Sequence, residues 1–201
     1  MDRAAREWFD RIYDDAASSG VRVPWDRHAP HRHLVGWAER DRLRGDGRQA
    51  VVVGCGTGDD AAFVASLGFT TTAFDLAPAA IAAARARFPT AAVEWAVADL
   101  LALPVDWLGR FDLVVENQTA QALPADIRPT AITAISRLVA PGGTLLVLAN
   151  RAIPGQAVEG PPWPLSRAEI DTFASDGLAL VSAEEISSNG HPRWRVVYRR
   201  S

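Results

Sequence analysis

An apolar run that breaks into closely spaced glycines constrains this chain more than any other stretch of its sequence. Residues 51–53 are three valines, and Gly54, Gly56 and Gly58 follow at alternate positions before an alanine-rich helical pattern begins. A continuous β-branched run is typical of a buried parallel strand. Glycine tolerates positive φ, and because it has no Cβ it lets a ligand approach the backbone closely. The stretch therefore predicts a strand, a ligand-binding loop and a helix.

An acidic residue follows the glycines at an informative distance. Residues 71–74 predict a second strand that ends at Asp75, about 20 residues after Gly54. At this position a doubly wound fold places the carboxylate that accepts hydrogen bonds from a ribose diol. The sequence thus predicts a ligand with an adenosine-type ribose. A glycine-rich turn that binds nothing is the alternative, and Asp75 argues against it.

The spacing of the glycines bears on which nucleoside cofactor the loop binds. The dinucleotide fingerprint G-x-G-x-x-G sets a helix N-terminus against a pyrophosphate, whereas this chain has G-x-G-x-G. Asp59 stands where the third dinucleotide glycine would be. A carboxylate at a helix start complements the helix dipole but repels phosphate. A phosphate-free cofactor that carries a sulfonium suits this loop better.

Strand and helix patterns alternate through the middle of the chain, which is typical of an α/β parallel sheet. Near the C-terminus, residues 178–186 and 193–199 predict two strands joined through Asn189-Gly190, a dipeptide that favours a tight turn. A connection this short cannot cross over to make a parallel pair, so these last two strands must be antiparallel. Three acidic residues close three successive earlier strands: Asp75, Asp99 and Glu116.

Length and composition predict a single domain over residues 1–201. The chain is 48% hydrophobic, which is enough for one full core. Residues 3–17 and 31–43 show helical patterns, and we expect residues 1–45 to form a helical cap over the site. An irregular segment with Pro24-Trp25-Asp26 lies between them, and a second Trp-containing loop spans residues 150–165.

Charge and cysteine content limit the possible partners and compartment. The formal net charge is −3, lysine is absent, and the arginines are interleaved with acidic residues, which argues against a nucleic-acid or membrane surface. Cys55 is the only cysteine, so no intramolecular disulfide can form. No apolar run approaches the roughly 20 residues that cross a bilayer. We expect a cytoplasmic monomer or homodimer that acts on a small molecule.

With these residues assembled, the chain resembles a class I S-adenosylmethionine-dependent methyltransferase over nearly its whole length. The resemblance implies a doubly wound, Rossmann-like sheet of seven strands, mostly parallel with an antiparallel C-terminal hairpin, and helices on both faces. Pro-Trp-Asp at 24–26 and Gly-Pro-Pro-Trp at 160–163 look like the thiopurine, thiol and halide methyltransferase branch. The motifs that carry the resemblance lie at residues 53–58, 74–76, 98–100, 111–116 and 140–146.

The resemblance also implies the cofactor, S-adenosyl-L-methionine, and the residues that would bind it. The glycine loop would border the methionine moiety, Asp75 the ribose, and Ala98 and Asp99 the adenine, while Trp25 would cover the cofactor. Asn117-Gln118 stands where the branch has aromatic or apolar residues, which leaves the acceptor open. The implied cofactor-binding residues are Trp25, Gly54, Cys55, Gly56, Gly58, Asp75, Leu76, Ala98, Asp99, Leu100 and Glu116.

The chemistry needs few protein groups, because a sulfonium methyl is already electrophilic. Orientation in line with the methyl–sulfur bond can supply about 7–11 kcal/mol of barrier reduction, and a thiolate or another soft anion then needs no base. For a hydroxyl acceptor, His28 and Glu116 are the candidate catalytic residues, Glu116 if burial raises its pKa. Arg128 and Arg151 are candidates to attract an anionic substrate, but a place on the solvated surface is favoured for both.

Three other interpretations are weighed beside this one. His31 and His33 hint at a metal site, but further ligands are lacking and the only thiol sits in the glycine loop, so no metal is predicted. A nicotinamide-dependent oxidoreductase, using NAD(P), would share the strand, the glycine loop and the acid, but the glycine spacing and the final hairpin count against it. The third alternative is a protein that binds S-adenosylmethionine without catalysis.

Overall fold

The computed structural model describes residues 26–156, 158–188 and 190–201. The predicted helix over residues 3–17, most of the predicted helical cap and Trp25 lie outside these residues. The chain divides into two compact units, Met1–Ala102 and Leu103–Ser201. None of the helices in the described parts of the chain combines the length and the apolar character that crossing a bilayer requires.

Seven strands form one mixed sheet, which confirms the predicted fold class. The strand order is β3-β2-β1-β4-β5-β7-β6. The bounds are β1 Gln49–Val53, β2 Thr70–Asp75, β3 Val93–Val97, β4 Phe111–Asn117, β5 Val139–Asn150, β6 Leu178–Ser188 and β7 His191–Arg200.

Three parallel strands and three α-helices form most of the described part of the first unit. β2 pairs with β1 and with β3, so that Phe74 lies between Val53 and Ala96. Its α-helices are α1 Arg32–Arg40, α2 Asp59–Ser66 and α3 Pro78–Arg87. Pro78 occupies the first position of α3, where its fixed φ suits a helix start and its missing N–H costs nothing. The buried face of α3 is built from Ala80, Ile81 and Ala84, and the two alanines let the helix lie close to its neighbours.

The second unit carries the antiparallel end of the sheet. β4 is parallel to β5, and β5 is antiparallel to β7. β7 is antiparallel to β6, as the Asn189-Gly190 dipeptide predicts. Its α-helices are α4 Arg128–Arg137 and α5 Arg167–Asp171, and α5 opens on a capping box between Ser166 and Glu169. The Tyr198 hydroxyl donates to the Ile170 carbonyl oxygen at 2.6 Å, which ties α5 to the sheet.

Element bounds differ from the sequence prediction mainly at β5. The apolar run at residues 144–149 predicts a strand that starts at Thr144. The strand instead begins at Val139, because Val139 already pairs with Phe111 before the register shifts. Gly142 has φ +74°, and an added Cβ at Gly143 would stand 2.9 Å from the Phe111 carbonyl oxygen. Pro141-Gly142-Gly143 therefore forms an irregular part of the strand and not a loop before it.

Candidate functional site

The glycine loop has the conformation that its sequence predicts. Gly54, Gly56 and Gly58 all have positive φ, at +58°, +53° and +91°. These values lie in the left-handed region that residues with a Cβ adopt at a cost. The Cys55 N–H donates to the Phe74 carbonyl oxygen at 2.9 Å, which fixes the loop to β2 as it leaves β1.

Cys55 itself is not a nucleophile in this setting. Loss of solvent around the thiol, together with the nearby charge of Asp75, raises its pKa well above the ordinary value. The thiol therefore stays protonated at neutral pH, and Cys55 acts as a small residue within the loop.

Gly58 is required for packing, a role that the sequence does not reveal. A Cβ built at Gly58 would stand 2.6 Å from Cη2 of Trp95 and 2.9 Å from Cβ of Ala84. Such distances are well inside van der Waals contact, so the side chains of β3 and α3 close on the loop where Gly58 leaves room. Gly58 is therefore needed for packing of the protein interior, independently of any contact that Gly54 and Gly56 make with a ligand.

Asp75 lies beside the loop, at the carboxyl end of β2. Its Oδ2 accepts a hydrogen bond from the Gly56 N–H at 2.9 Å, and its Oδ1 accepts one from the Ala77 N–H at 3.0 Å. The carboxylate is half-buried, as is Leu76 after it. Asp75 thus orders both the glycine loop and the turn that leads into α3, in addition to any contact with a ligand.

The predicted adenine-side residues follow β3 and connect back to Asp75. The Ala98 N–H donates to the Asp75 carbonyl oxygen at 3.0 Å. Oδ1 of Asp99 accepts from the Leu101 N–H at 2.9 Å and so caps the short 3-10 helix that starts at the buried Leu100. The structure therefore brings the glycine loop, Asp75 and residues 98–100 together within the first unit.

An ion-pair cluster at the start of α2 was not predicted. Arg87 binds Asp26 through two hydrogen bonds of 2.6 and 2.9 Å and binds Asp59 at 2.8 Å. The hydrogen bonds from Arg87 hold the pKa of Asp26 far below its ordinary range. Oδ1 of Asp60 accepts from the His31 N–H at 2.6 Å, which joins α1 to the same helix end. Two carboxylates in the first turn of α2 fit a cofactor without phosphate.

Glu116 is the fully buried carboxyl at the carboxyl end of β4. Its Oε1 accepts hydrogen bonds from the N–H groups of Thr119 and Ala120, at 2.7 and 2.9 Å. Its Oε2 is buried without a hydrogen-bond partner among the described residues. Burial raises the pKa of Glu116 to about 7, although the two backbone hydrogen bonds oppose the shift. The side chain therefore exchanges a proton near neutral pH.

The three N-terminal histidines differ in their exposure and in their contacts. His28 has an exposed ring whose Nε2 is 3.6 Å from Oδ2 of Asp26, and its φ of +52° is in the left-handed region. His31 is buried as the N-cap of α1, and its ring lies 5.3 Å from that of His33. Over residues 26–201, leaving out 157 and 189, no group of three or more His, Cys, Asp or Glu side chains is placed to hold a metal ion.

Comparison with known proteins identifies the family. Residues 50–143, from β1 into β5, match the family model described as a methyltransferase domain. The 2-heptyl-1-hydroxyquinolin-4(1H)-one methyltransferase of Mycobacteroides abscessus is 27% identical over 198 residues, which cover 94% of this chain and 85% of that protein. The probable thiol methyltransferase 2 of Arabidopsis thaliana is 26% identical, and the match covers 84% of this chain and 77% of that protein. The chain is a class I S-adenosylmethionine-dependent methyltransferase.

The fold of this methyltransferase agrees with solved structures. The 1,6-didemethyltoxoflavin-N1-methyltransferase of Burkholderia thailandensis, solved with its substrate and S-adenosylhomocysteine, matches with a TM-score of 0.75 at 19% identity, over 98% of this chain and 88% of that one. Membership of this family makes S-adenosylmethionine the cofactor, as the sequence predicts. The family match argues against the nicotinamide-dependent alternative.

Proposed function

We propose that this methyltransferase moves the methyl group of S-adenosylmethionine to a thiol or a weakly acidic hydroxyl of a small molecule, by in-line displacement. The names of two relatives support an acceptor of this kind, since one acts on a hydroxyquinolone and the other on thiols. The observation that carries the proposal is the buried Glu116, whose pKa of about 7 suits a group that takes a proton from a hydroxyl.

The residues of the first unit are proposed to hold the cofactor. Asp75 would accept the ribose hydroxyls, the loop from Gly54 to Gly58 would border the methionine end, and residues 98–100 would border the adenine. Leu76, Cys55 and, outside the described residues, Trp25 complete the proposed set. When bound, S-adenosylmethionine supplies a methyl group that is electrophilic because its sulfur is positively charged. The protein's part is to exclude water and to align the acceptor with that methyl group.

Glu116 is proposed to receive the acceptor's proton through Oε2. Because Oε1 is held by two backbone N–H groups, the carboxyl group is fixed in one orientation with Oε2 as the remaining acceptor. A hydroxyl that is still protonated when it attacks the methyl group needs such a base. A thiol that is already ionised needs only to be aligned with the methyl group.

An assay with a thiol and a hydroxyl acceptor tests whether Glu116 is the base for the hydroxyl alone. We expect the wild-type enzyme to release S-adenosylhomocysteine with thiophenol and with 4-hydroxyquinoline, and not with aliphatic amines. Glu116→Gln keeps an oxygen for the two backbone donors but cannot take a proton. It should lower kcat/KM for 4-hydroxyquinoline by roughly 100-fold, the lower range for a general base, and change kcat/KM for thiophenolate by less than about threefold.

His28 provides the control for the choice of base. It is the second proposed catalytic residue, but its ring is exposed and paired with Asp26. If Glu116 is the base, His28→Asn should leave both acceptors unaffected. A loss for the hydroxyl acceptor in His28→Asn and not in Glu116→Gln would move the role to His28. Methylation of amines with silence on thiols and hydroxyls would overturn the proposed acceptor class.

The cellular setting is also a proposal. We propose a cytoplasmic monomer or homodimer that binds no nucleic acid, supported by a net charge of −3 and by arginines paired with acidic side chains. Light scattering of the purified chain measures its oligomeric state, and retention on immobilised DNA measures its binding to nucleic acid.

A further inference from the structure

A cavity of about 450 Å³ lies in the second unit, at the carboxyl end of β5. It is lined by Asn150 and Arg151, which end β5 and follow it, by Trp163 and Pro164 from the long loop, and by His191 and Arg193 at the start of β7. Cavities of about 300–1,000 Å³ hold small-molecule ligands. In open α/β sheets such ligands bind at the carboxyl ends of the parallel strands, which is where this cavity lies.

The charged side chains that line this cavity belong to arginines. Two arginines and a histidine face it, and no carboxylate lies among its lining residues. Nε of Arg151 lies 3.5 Å from Oε2 of Glu185, whose side chain is 61% exposed, so this pair is long and open to solvent. Within the described residues Nε of Arg151 has no hydrogen-bond partner, and its guanidinium carbon lies 5.9 Å from the centroid of the Trp194 ring. A ring contact leaves the hydrogen-bond donors of the guanidinium available to an anion.

The cavity is held in shape by backbone hydrogen bonds. The Arg151 N–H donates to the Pro192 carbonyl oxygen at 3.0 Å, and the Leu165 N–H donates to the Asn150 carbonyl oxygen at 2.9 Å. The Trp163 N–H donates to the Gln121 carbonyl oxygen at 2.7 Å. The backbone positions of Arg151 and Trp163 are therefore set before any ligand arrives, which lowers the entropic cost of binding.

Gln121 joins the cavity wall to the turn that holds Glu116. Its Oε1 accepts from the Asn150 N–H at 2.6 Å, and it follows Ala120, whose N–H binds Oε1 of Glu116. The cavity and the proposed base thus belong to one hydrogen-bonded framework of the second unit.

We propose that this cavity binds the anionic group of an aromatic acceptor, a carboxylate in the first instance, with Arg151 as the main ligand. The guanidinium of Arg151 matches a carboxylate through two parallel hydrogen bonds, and the indole of Trp163 offers an apolar face for a planar ring. Arg193 adds positive charge at the same wall. The inference rests on the proposed function, because it names the class of acceptor that the enzyme selects: aromatic acids in preference to their neutral analogues.

A pair of ligands that differ only in the charged group tests the inference. Binding of 4-hydroxyquinoline-2-carboxylate and of neutral 4-hydroxyquinoline is measured by titration calorimetry on the full chain saturated with S-adenosylhomocysteine. Arg151→Gln should weaken binding of the carboxylate by about tenfold or more and leave the neutral ligand unchanged. Arg151→Lys should weaken binding of the carboxylate less than Arg151→Gln does, because the positive charge stays and only the two parallel hydrogen bonds are lost.

Arg167→Gln is the matched control. Arg167 lies in the same unit with a side chain that is 54% exposed and paired with Asp171, away from the cavity lining. The inference is overturned if Arg151→Gln binds the carboxylate as the wild type does, or if Arg167→Gln loses as much. The two proposals fail separately. Methylation of thiols and hydroxyls without preference for the carboxylate overturns only the cavity assignment. Carboxylate preference without any methylation of thiols or hydroxyls overturns only the proposed function.

Discussion

At the scale of single residues, Glu116 has the least ordinary environment among the described side chains of the second unit. A carboxyl group that is 0% exposed usually has an ionic partner, yet this one is bonded only to two backbone N–H groups. Desolvation outweighs those hydrogen bonds, and the pKa rises from 4.5 to about 7. The folded protein therefore holds this proton more tightly than the unfolded chain does.

That difference predicts a pH-dependent stability. The contribution of Glu116 is fully present below about pH 4.5, is lost as the pH rises through about 7, and amounts to about 3 kcal/mol. Urea denaturation of the wild type and of Glu116→Gln across this window should show their free energies of unfolding drawing apart by about that amount. Asp26 and Glu169, whose pKa values are lowered, are present in both proteins and titrate at lower pH. Parallel curves for the two proteins would contradict the burial of an ionisable Glu116.

Arg128 shows what a sequence cannot reveal about one residue. The sequence leaves it between anion attraction and the solvated surface, with the surface favoured, and the structure buries it at 5% exposure. It pairs with Glu169, the capping-box residue of α5, and donates to the Leu123 carbonyl oxygen at 3.1 Å. The partner is 41 residues away along the chain, so no local pattern identifies it. Arg128 is a structural arginine, and Arg151 is the one that lines a cavity.

At the scale of elements, the local sequence encodes the backbone conformation of the glycine loop but not its packing against the rest of the protein. Positive φ at Gly54, Gly56 and Gly58 follows from the absence of Cβ atoms and is predictable. The contact of Gly58 with Trp95 is not, because the tryptophan belongs to β3 and reaches the loop only in the folded sheet. The alternation of strands and helices and the final hairpin were likewise predictable, whereas the early start of β5 depends on its pairing with Phe111.

The packing role of Gly58 predicts a large cost for its smallest substitution. Gly58→Ala adds a Cβ that would stand 2.6 Å from the Trp95 ring, in a backbone conformation with φ +91°. Overpacking and backbone strain together should lower the free energy of unfolding by about 2–4 kcal/mol. Gly36→Ala is the matched control, because Gly36 lies within α1 with nothing near its missing Cβ. It should stabilise the protein by about 0.5–1 kcal/mol, and equal effects of the two changes would refute the packing argument.

At the scale of the whole molecule, cofactor binding should be visible as a gain in stability. The glycine loop, Asp75 and residues 98–100 are joined by backbone and side-chain hydrogen bonds, so a nucleoside bound there adds to an ordered set of contacts. Sequence motifs predict these residues, since each follows directly on a strand of recognisable composition. The cluster of Asp26, Asp59 and Arg87 was not predictable, because its three members come from three separate segments.

S-adenosylhomocysteine at 100 times its Kd should raise the free energy of unfolding of the full chain by about 2.7 kcal/mol, while NAD should not raise it. Asp75→Ala removes a carboxylate that is proposed to hold the ribose and that also binds the Gly56 N–H. Because a hydrogen bond to a charged group contributes about 1.5–3 kcal/mol, the variant should bind more than tenfold more weakly and keep about half of the gain or less. Asp126→Ala, at an exposed position, should keep all of it. A full gain in Asp75→Ala would mean that the ribose is held elsewhere than at the carboxyl end of β2, and an equal gain from NAD would contradict S-adenosylmethionine as the cofactor.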